Sequence, residues 1–308
     1  MDRGKLKGHS ALWVANLIWG LNAPIAKSVL AEVSAFAMTS YRMVGACLLF
    51  WTASIFMPRE RIEKGDMLKI FLASLFGIQL NQMLFLWGLS LTSPIDASII
   101  ATVVPILTMI FATLFLREPI TWLKSSGVFL GASGAVILVI MSHQSSVGAA
   151  SSALGNILCI VSAISYSIYL TAFRNIIVKY HPVTTMKWMF LFAAICSLVI
   201  YNRPLVEVDY SAMSPSLIAG IAYVVIGSTF ISYMMVPIGQ KYLRPTLVSM
   251  YNYMQPVVAV LLTVAMGLDT FGWGKALAAV AVFAGVWLVT KSKSRAQIEA
   301  EQKAKSGE

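Results

Sequence analysis

Charged residues are few in this sequence. Asp, Glu, Lys and Arg make up 12% of its 308 residues, about half the share in a soluble domain. Apolar residues make up 58%, and the mean hydropathy is +0.77. A water-soluble fold of this length cannot hide so much apolar surface, so the chain is expected to sit in lipid.

Other shortages narrow the chemistry. The three histidines, His9, His143 and His181, fall at the ends of apolar runs or between them, so none stands beside a membrane serine as a base. Cys47, Cys159 and Cys196 are isolated within apolar runs. Three is an odd number, and the spacing is not that of ligands, so buried free thiols are expected. No cluster has metal-ligand spacing, and no G-x-x-x-x-G-K-[ST] loop cradles a phosphate. The expectation is no enzyme, no cofactor, no metal and no direct use of ATP. The thirteen acidic residues also lack a member in mid-run: Asp96, Glu118 and Asp269 sit at helix ends. Proton-coupled carriers often use a buried carboxylate, so a simple carboxylate antiporter is disfavoured. The net charge is +10, but the cations cap apolar runs and form no stripe with aromatics, so nucleic acid is not the expected partner.

What is present is a series of ten apolar runs of spanning length: 9–30, 35–57, 67–90, 94–116, 121–141, 153–178, 183–201, 214–238, 245–267 and 271–291. In lipid every backbone polar group must be paired within its segment, so these are helices. The first run lacks a small-residue cleavage pattern after it and is expected to stay as a helix. Lysine and arginine crowd the even-numbered connections and both tails, while Lys27, Arg203 and Lys275 are all that the odd-numbered ones hold. That bias places both termini in the cytoplasm. The polar tail, 292–308, reads as solvated.

The chain also repeats itself. At an offset of 151, Gly88 aligns with Gly239, Pro94 with Pro245, Ser98 with Ser249, Pro105 with Pro256 and Glu118 with Asp269. Earlier pairs need 145 to 147: Trp19 with Tyr166, Lys27 with Arg174, Arg42 with Lys187. Five helices per half is an odd number, so the second copy enters from the opposite side. The fold class is therefore all-α integral membrane, with ten transmembrane helices as two inverted five-helix repeats (1–149 and 150–291). Secondary transporters use this architecture, with substrate near the midplane.

The stretches "WVANLIWGLNAPIAK" (13–27), "SYRMVGACLLF" (40–50) and "SPIDASIIATVVPILTMIFATLFLREPIT" (93–121), with the glycine-rich "GVFLGASGAVILV" (127–139) and "AVFAGVWLVT" (281–290), resemble the drug/metabolite transporter superfamily, in particular the bacterial EamA-type permeases. The second half departs from the pattern at Asp269 and at "YNYMQ" before Pro256. The resemblance implies a secondary transporter of the bacterial inner membrane. It would move a small organic metabolite, such as an amino acid, outward by alternating access. Alternatives are a nucleotide-sugar or multidrug carrier of the same superfamily and, in a different class, a channel. The resemblance admits a homodimer through the glycine-rich helices; otherwise the chain acts as a monomer.

The candidate substrate-binding residues are polar or aromatic groups deep in the runs: Asn16 and Trp19, Arg42, Gln79 and Gln82, Tyr166 and Tyr169, and Tyr251, Asn252 and Gln255. An amide facing lipid would be unpaired and costly, so these faces should point inward. Interhelical hydrogen bonding is the plainer role open to each. Ser228 and Ser232 share a face in the same way. Arg42 either snorkels to the outer headgroups or faces a vestibule and attracts an anionic group such as a carboxylate. Pro105 and Pro256 fall near the middle of their helices and should kink them, as packing bends or as hinges of a gate.

Overall fold

The computed structural model describes residues 3–142, 152–200, 213–265 and 272–293, with a few residues of the tail. His143, Tyr201, Arg203 and Asp269 lie outside the described residues. Every described element is helical. The helices are α1 (Arg3–Val29), α2 (Ala35–Ile55), α3 (Lys64–Leu91), α4 (Pro94–Ala101 and Val104–Leu116) and α5 (Trp122–Ser142). Next come α6 (Ala153–Ala172) with a short helix after it (Arg174–Lys179), α7 (Pro182–Ile200) and α8 (Pro215–Tyr242). The last are α9 (Pro245–Met250, a tight turn Tyr251–Tyr253, and Met254–Ala265) and α10 (Trp273–Lys291).

Seven of these helices, all but α1, α2 and α9, are long and apolar enough to cross a membrane. The protein is an all-helical, multi-span membrane protein. The three exceptions carry lysines and asparagines (α1), Arg42 (α2) or a break (α9), so length and composition support only part of the ten-span count.

Helix pairing alternates between the two halves. The α1 helix packs on α8 and on α9, while α6 packs on α3 and on α4; α2 lies on α7, and α5 on α10. Glycine permits the closest of these approaches. A Cβ on Gly127 would stand 2.8 Å from the Gly285 carbonyl, and one on Gly285 would stand 2.6 Å from the Gly127 carbonyl. The glycine-rich faces of α5 and α10 therefore meet each other within one chain.

Both of the paired prolines start or follow a break. Pro94 and Pro245 occupy first-turn positions, where a missing N–H is harmless. Just before Pro105 the chain tightens: the Thr102 and Val103 amides donate to Ile99 and Ile100, three residues back. Residues Tyr251–Tyr253 make the corresponding 3-10 turn before Pro256. The expected mid-helix irregularities are present as tightened turns.

α3 and α8 carry a different irregularity, a widened π segment, at Leu75–Leu80 and Tyr223–Ile231. Nothing in the sequence reading anticipated these. Side chains of facing helices take the carbonyls of both segments. Ser165 donates to Phe76 O at 2.7 Å and Tyr233 to Gly77 O at 3.2 Å; Trp19 Nε1 donates to Ser228 O at 2.8 Å. In lipid such outside donors are what make an irregular turn tolerable.

Charged groups close the ends. Arg117 ends α4 in the left-handed region (φ 52), which sends the Glu118 amide back to Ala112 O. Glu118 then pairs with Lys124 at 2.8 Å and accepts from Thr246. Lys124 and Lys275 were expected in connections, but both lie in the first turn of a helix and are buried. Asp66 accepts from Lys69, Lys179 and Tyr180, tying the start of α3 to the α6–α7 connection. Hydrogen bonds to Asp66, then to Glu63, raise the Lys179 ammonium above its ordinary pKa. Cys47 and Cys159 are buried free thiols as expected, while Cys196 is half-buried.

Candidate functional site

The sequence-derived residues gather into two groups. The first lies where α1, α3, α6 and α8 meet. Trp19 stands edge-on to Tyr166 (ring centroids 6.2 Å) and to Tyr233 (5.8 Å), and Tyr233 stands edge-on to Phe190 (5.5 Å). Tyr166 stacks on Tyr169 at 5.8 Å. The Tyr169 ring lies against Gly77 of the π segment, where a Cβ would come within 2.3 Å of it. Only glycine at position 77 leaves room for that ring.

Around these rings the polar groups are under-paired. The Tyr233 hydroxyl donates to Gly77 O and Asn81 Oδ1, and Asn81 exchanges bonds with Ser162. By contrast both amide atoms of Gln79 lack a hydrogen-bond partner among the described residues, as do the Tyr169 hydroxyl and Ser228 Oγ, while the Gln82 amide lies toward the Tyr233 hydroxyl. Gln79 is 3% exposed. Leaving a buried amide unpaired costs about 1–3 kcal/mol. A protein bears that cost where a ligand or ordered water completes the set.

Arg42 borders this group. Its Nε donates to Thr229 Oγ1 at 2.8 Å, and Thr229 donates five residues back to Val224 O across the π segment. The residue is 3% exposed, so it does not reach outward to headgroups. Lys187, its counterpart in the second half, is half-buried and lies over the Trp51 ring.

The second group is a seam between α1 and α9. Asn16 accepts from Gln255 Nε2 at 3.0 Å, Gln255 also reaches Asn252, and the Tyr251 hydroxyl meets His9 Nδ1 at 2.5 Å. Asn16, Tyr251, Asn252 and Gln255 thus bond each other or α1, apart from the rings around Trp19. Pro105 and Pro256 stand at the breaks of α4 and α9, two helices that pack together.

Sequence reasoning missed Tyr233, Asn81, Thr229 and His9. Tyr233 sits one turn after Thr229 on α8, so a helical-face reading of that helix had the signal for the pair; Asn81, two residues after Gln79 and next to Gln82, lies off their shared face and carried no such signal. His9 carried no such signal; its partner lies on α9. The outer surface contrasts with the interior: a shallow groove of about 440 Å³ between α1, α8 and α9 is lined by apolar side chains and Tyr223.

The fold defines a helical, multi-span membrane protein. The model of the EamA-like transporter family matches residues 6–140 and again 153–291, and the chain belongs to that family. Relatives include an uncharacterized transporter of Archaeoglobus fulgidus, 28% identical over 70% of this chain and 74% of its own length. The uncharacterized inner membrane transporter YicL of Salmonella typhimurium is 22% identical over 84% and 87%. A WAT1-related protein of Arabidopsis thaliana is 23% identical over 90% and 82%. One crystal structure superposes with a TM-score of 0.73 at 19% identity, covering 94% of this chain and 98% of the other, a likeness of fold alone.

Proposed function

We propose that this protein is a secondary transporter that exports a small organic metabolite, such as an amino acid, by alternating access. The observation that carries the reading is the Trp19–Tyr166–Tyr233 ring cluster at the junction of helices from both halves, joined through Tyr233 to the α3 π segment that carries the buried, unpaired Gln79 amide. Such a junction is where inverted-repeat transporters hold their cargo.

All of α1–α10 span the membrane in this reading, as two inverted five-helix repeats with cytoplasmic termini, in the bacterial inner membrane. The reciprocal pairing supports it: exchanging α1 with α6 and α3 with α8 turns the α1–α8 contact into the α6–α3 contact. The π segments of α3 and α8 and the breaks of α4 and α9 support it as well, because each irregularity occurs once per half. Cargo binds between α1, α3, α6 and α8, and the α1–α9 seam and the two proline breaks move as the gate. Basic residues in even-numbered connections support the orientation.

The test is counterflow in proteoliposomes loaded with a broad metabolite panel, amino acids included. The reading expects labelled compound to accumulate beyond protein-free vesicles for at least one class. A folded, reconstituted protein that moves none of the panel refutes it.

A further inference from the structure

Arg42 is a cation without a counter-ion. It is 3% exposed, and among the described residues no carboxylate lies within 4 Å of it. Its side chain has one hydrogen bond, from Nε to the neutral Thr229 hydroxyl. A buried charge normally finds a paired charge or several acceptors. Neither is present, and a structural role would leave that desolvation uncompensated.

The surroundings orient the group. Thr229 gives its proton to Val224 O, so its oxygen can only accept, and it accepts from Nε. With Nε so held, the edge carrying Nη1 and Nη2 is the free fork of the guanidinium. Ser228, next to Thr229, has an unpaired hydroxyl, and its carbonyl takes the Trp19 indole N–H. Two successive residues of one π segment thus hold Arg42 on one side and the ring group on the other.

We propose that Arg42 is the subsite for a carboxylate on the transported molecule, with Thr229 as its positioning residue. This rests on the transport reading above. Two parallel N–H donors match the two oxygens of one carboxylate. A single positive charge neutralises a monoanion; a phosphate dianion would leave net negative charge buried, so a carboxylate is the fitting class. Cargo with a carboxylate at Arg42 places its remainder toward the Trp19 ring group, which Ser228 holds next to Thr229.

The experiment uses full-length protein in detergent and small carboxylates paired with their neutral carboxamides: N-acetylleucine with N-acetylleucinamide, phenylacetate with phenylacetamide, hexanoate with hexanamide. Binding is read by thermal shift, since a ligand that prefers the folded state raises its melting temperature. At least one acid is expected to act at roughly tenfold lower concentration than its amide. Arg42→Gln should erase that preference, Arg42→Lys should restore part of it, and Thr229→Val should weaken it in protein that still folds but melts lower, because Nε loses its acceptor. Amides that match acids in wild type overturn the proposal, as does inorganic phosphate that shifts the protein as strongly as the acids. An acid preference that survives Arg42→Gln in folded protein overturns it too, as does no shift by any acid. Counterflow on the same compounds separates the two readings. Acid preference without transport removes the transport reading and leaves Arg42 as a carboxylate-binding site alone; transport of neutral compounds without acid preference keeps the transport reading and overturns the carboxylate subsite.

Discussion

Lys27 on α1 and Arg174 just after α6, 147 positions apart, make the same kind of contact. Lys27 Nζ donates to Leu89 O at 2.6 Å and Thr92 O at 3.1 Å, at the end of α3; Arg174 Nη2 donates to Gln240 O at 3.1 Å, at the end of α8. A cation at a helix C-terminus satisfies carbonyls left without an intrahelical partner and meets the negative end of the dipole. Lys27→Met and Arg174→Met should each lower stability by about 1–3 kcal/mol. Thermal unfolding in detergent measures this, and equal stability of both variants with wild type counts against the contacts as described.

Close packing of α5 on α10 predicts a sharp contrast between two glycines. A Cβ at Gly285 would lie 2.6–2.8 Å from backbone atoms of Gly127 and Gly131, which cannot turn aside. Gly285→Ala should cost about 1–3 kcal/mol. Gly65, exposed in the first turn of α3, has nothing within 4 Å of its Cβ, and Gly65→Ala should stabilise by up to about 1 kcal/mol. Paired melting curves decide, and the prediction fails if the order reverses.

The prolines should matter more for turnover than for folding. Pro105→Ala and Pro256→Ala restore an N–H and a straighter path through each break, so stability should hold or rise. Transport should fall several-fold if the breaks serve as hinges. Loss of folded protein with unchanged specific transport would make them packing bends instead.

The α1–α9 seam gives a further check. Gln255→Ala removes the donor to Asn16 and leaves a buried acceptor unpaired. It should slow counterflow while leaving a ligand-induced thermal shift close to that of wild type; a weakened shift would place the seam inside the binding site instead of the gate.

Much of this was legible in the sequence because lipid makes the rules strict. Run length marked the helices, and the penalty on unpaired amides pointed Asn16, Gln79, Gln82 and Gln255 inward. The breaks before Pro105 and Pro256 followed from missing N–H groups. The π segments were not legible, since no residue type demands them: they depend on donors such as Trp19, Ser165 and Tyr233 arriving from other helices. Nor was the division of the polar residues into two groups, because Asn16 and Trp19 share a helical face yet bond different partners, Gln255 and Ser228. Lys124 looked like a connection residue because its partner Glu118 lies before the helix that buries it.

The central claim is that the buried Gln79 amide contacts the cargo, and counterflow by wild type and Gln79→Leu tests it most directly. Leucine removes an amide that has no partner in the folded protein, so the variant should melt at or above the wild-type temperature. The account predicts that this folded, stable variant loses at least about 90% of wild-type counterflow, as a site-group deletion of roughly 1.4 kcal/mol or more requires. A stable Gln79→Leu protein that transports like wild type would contradict it.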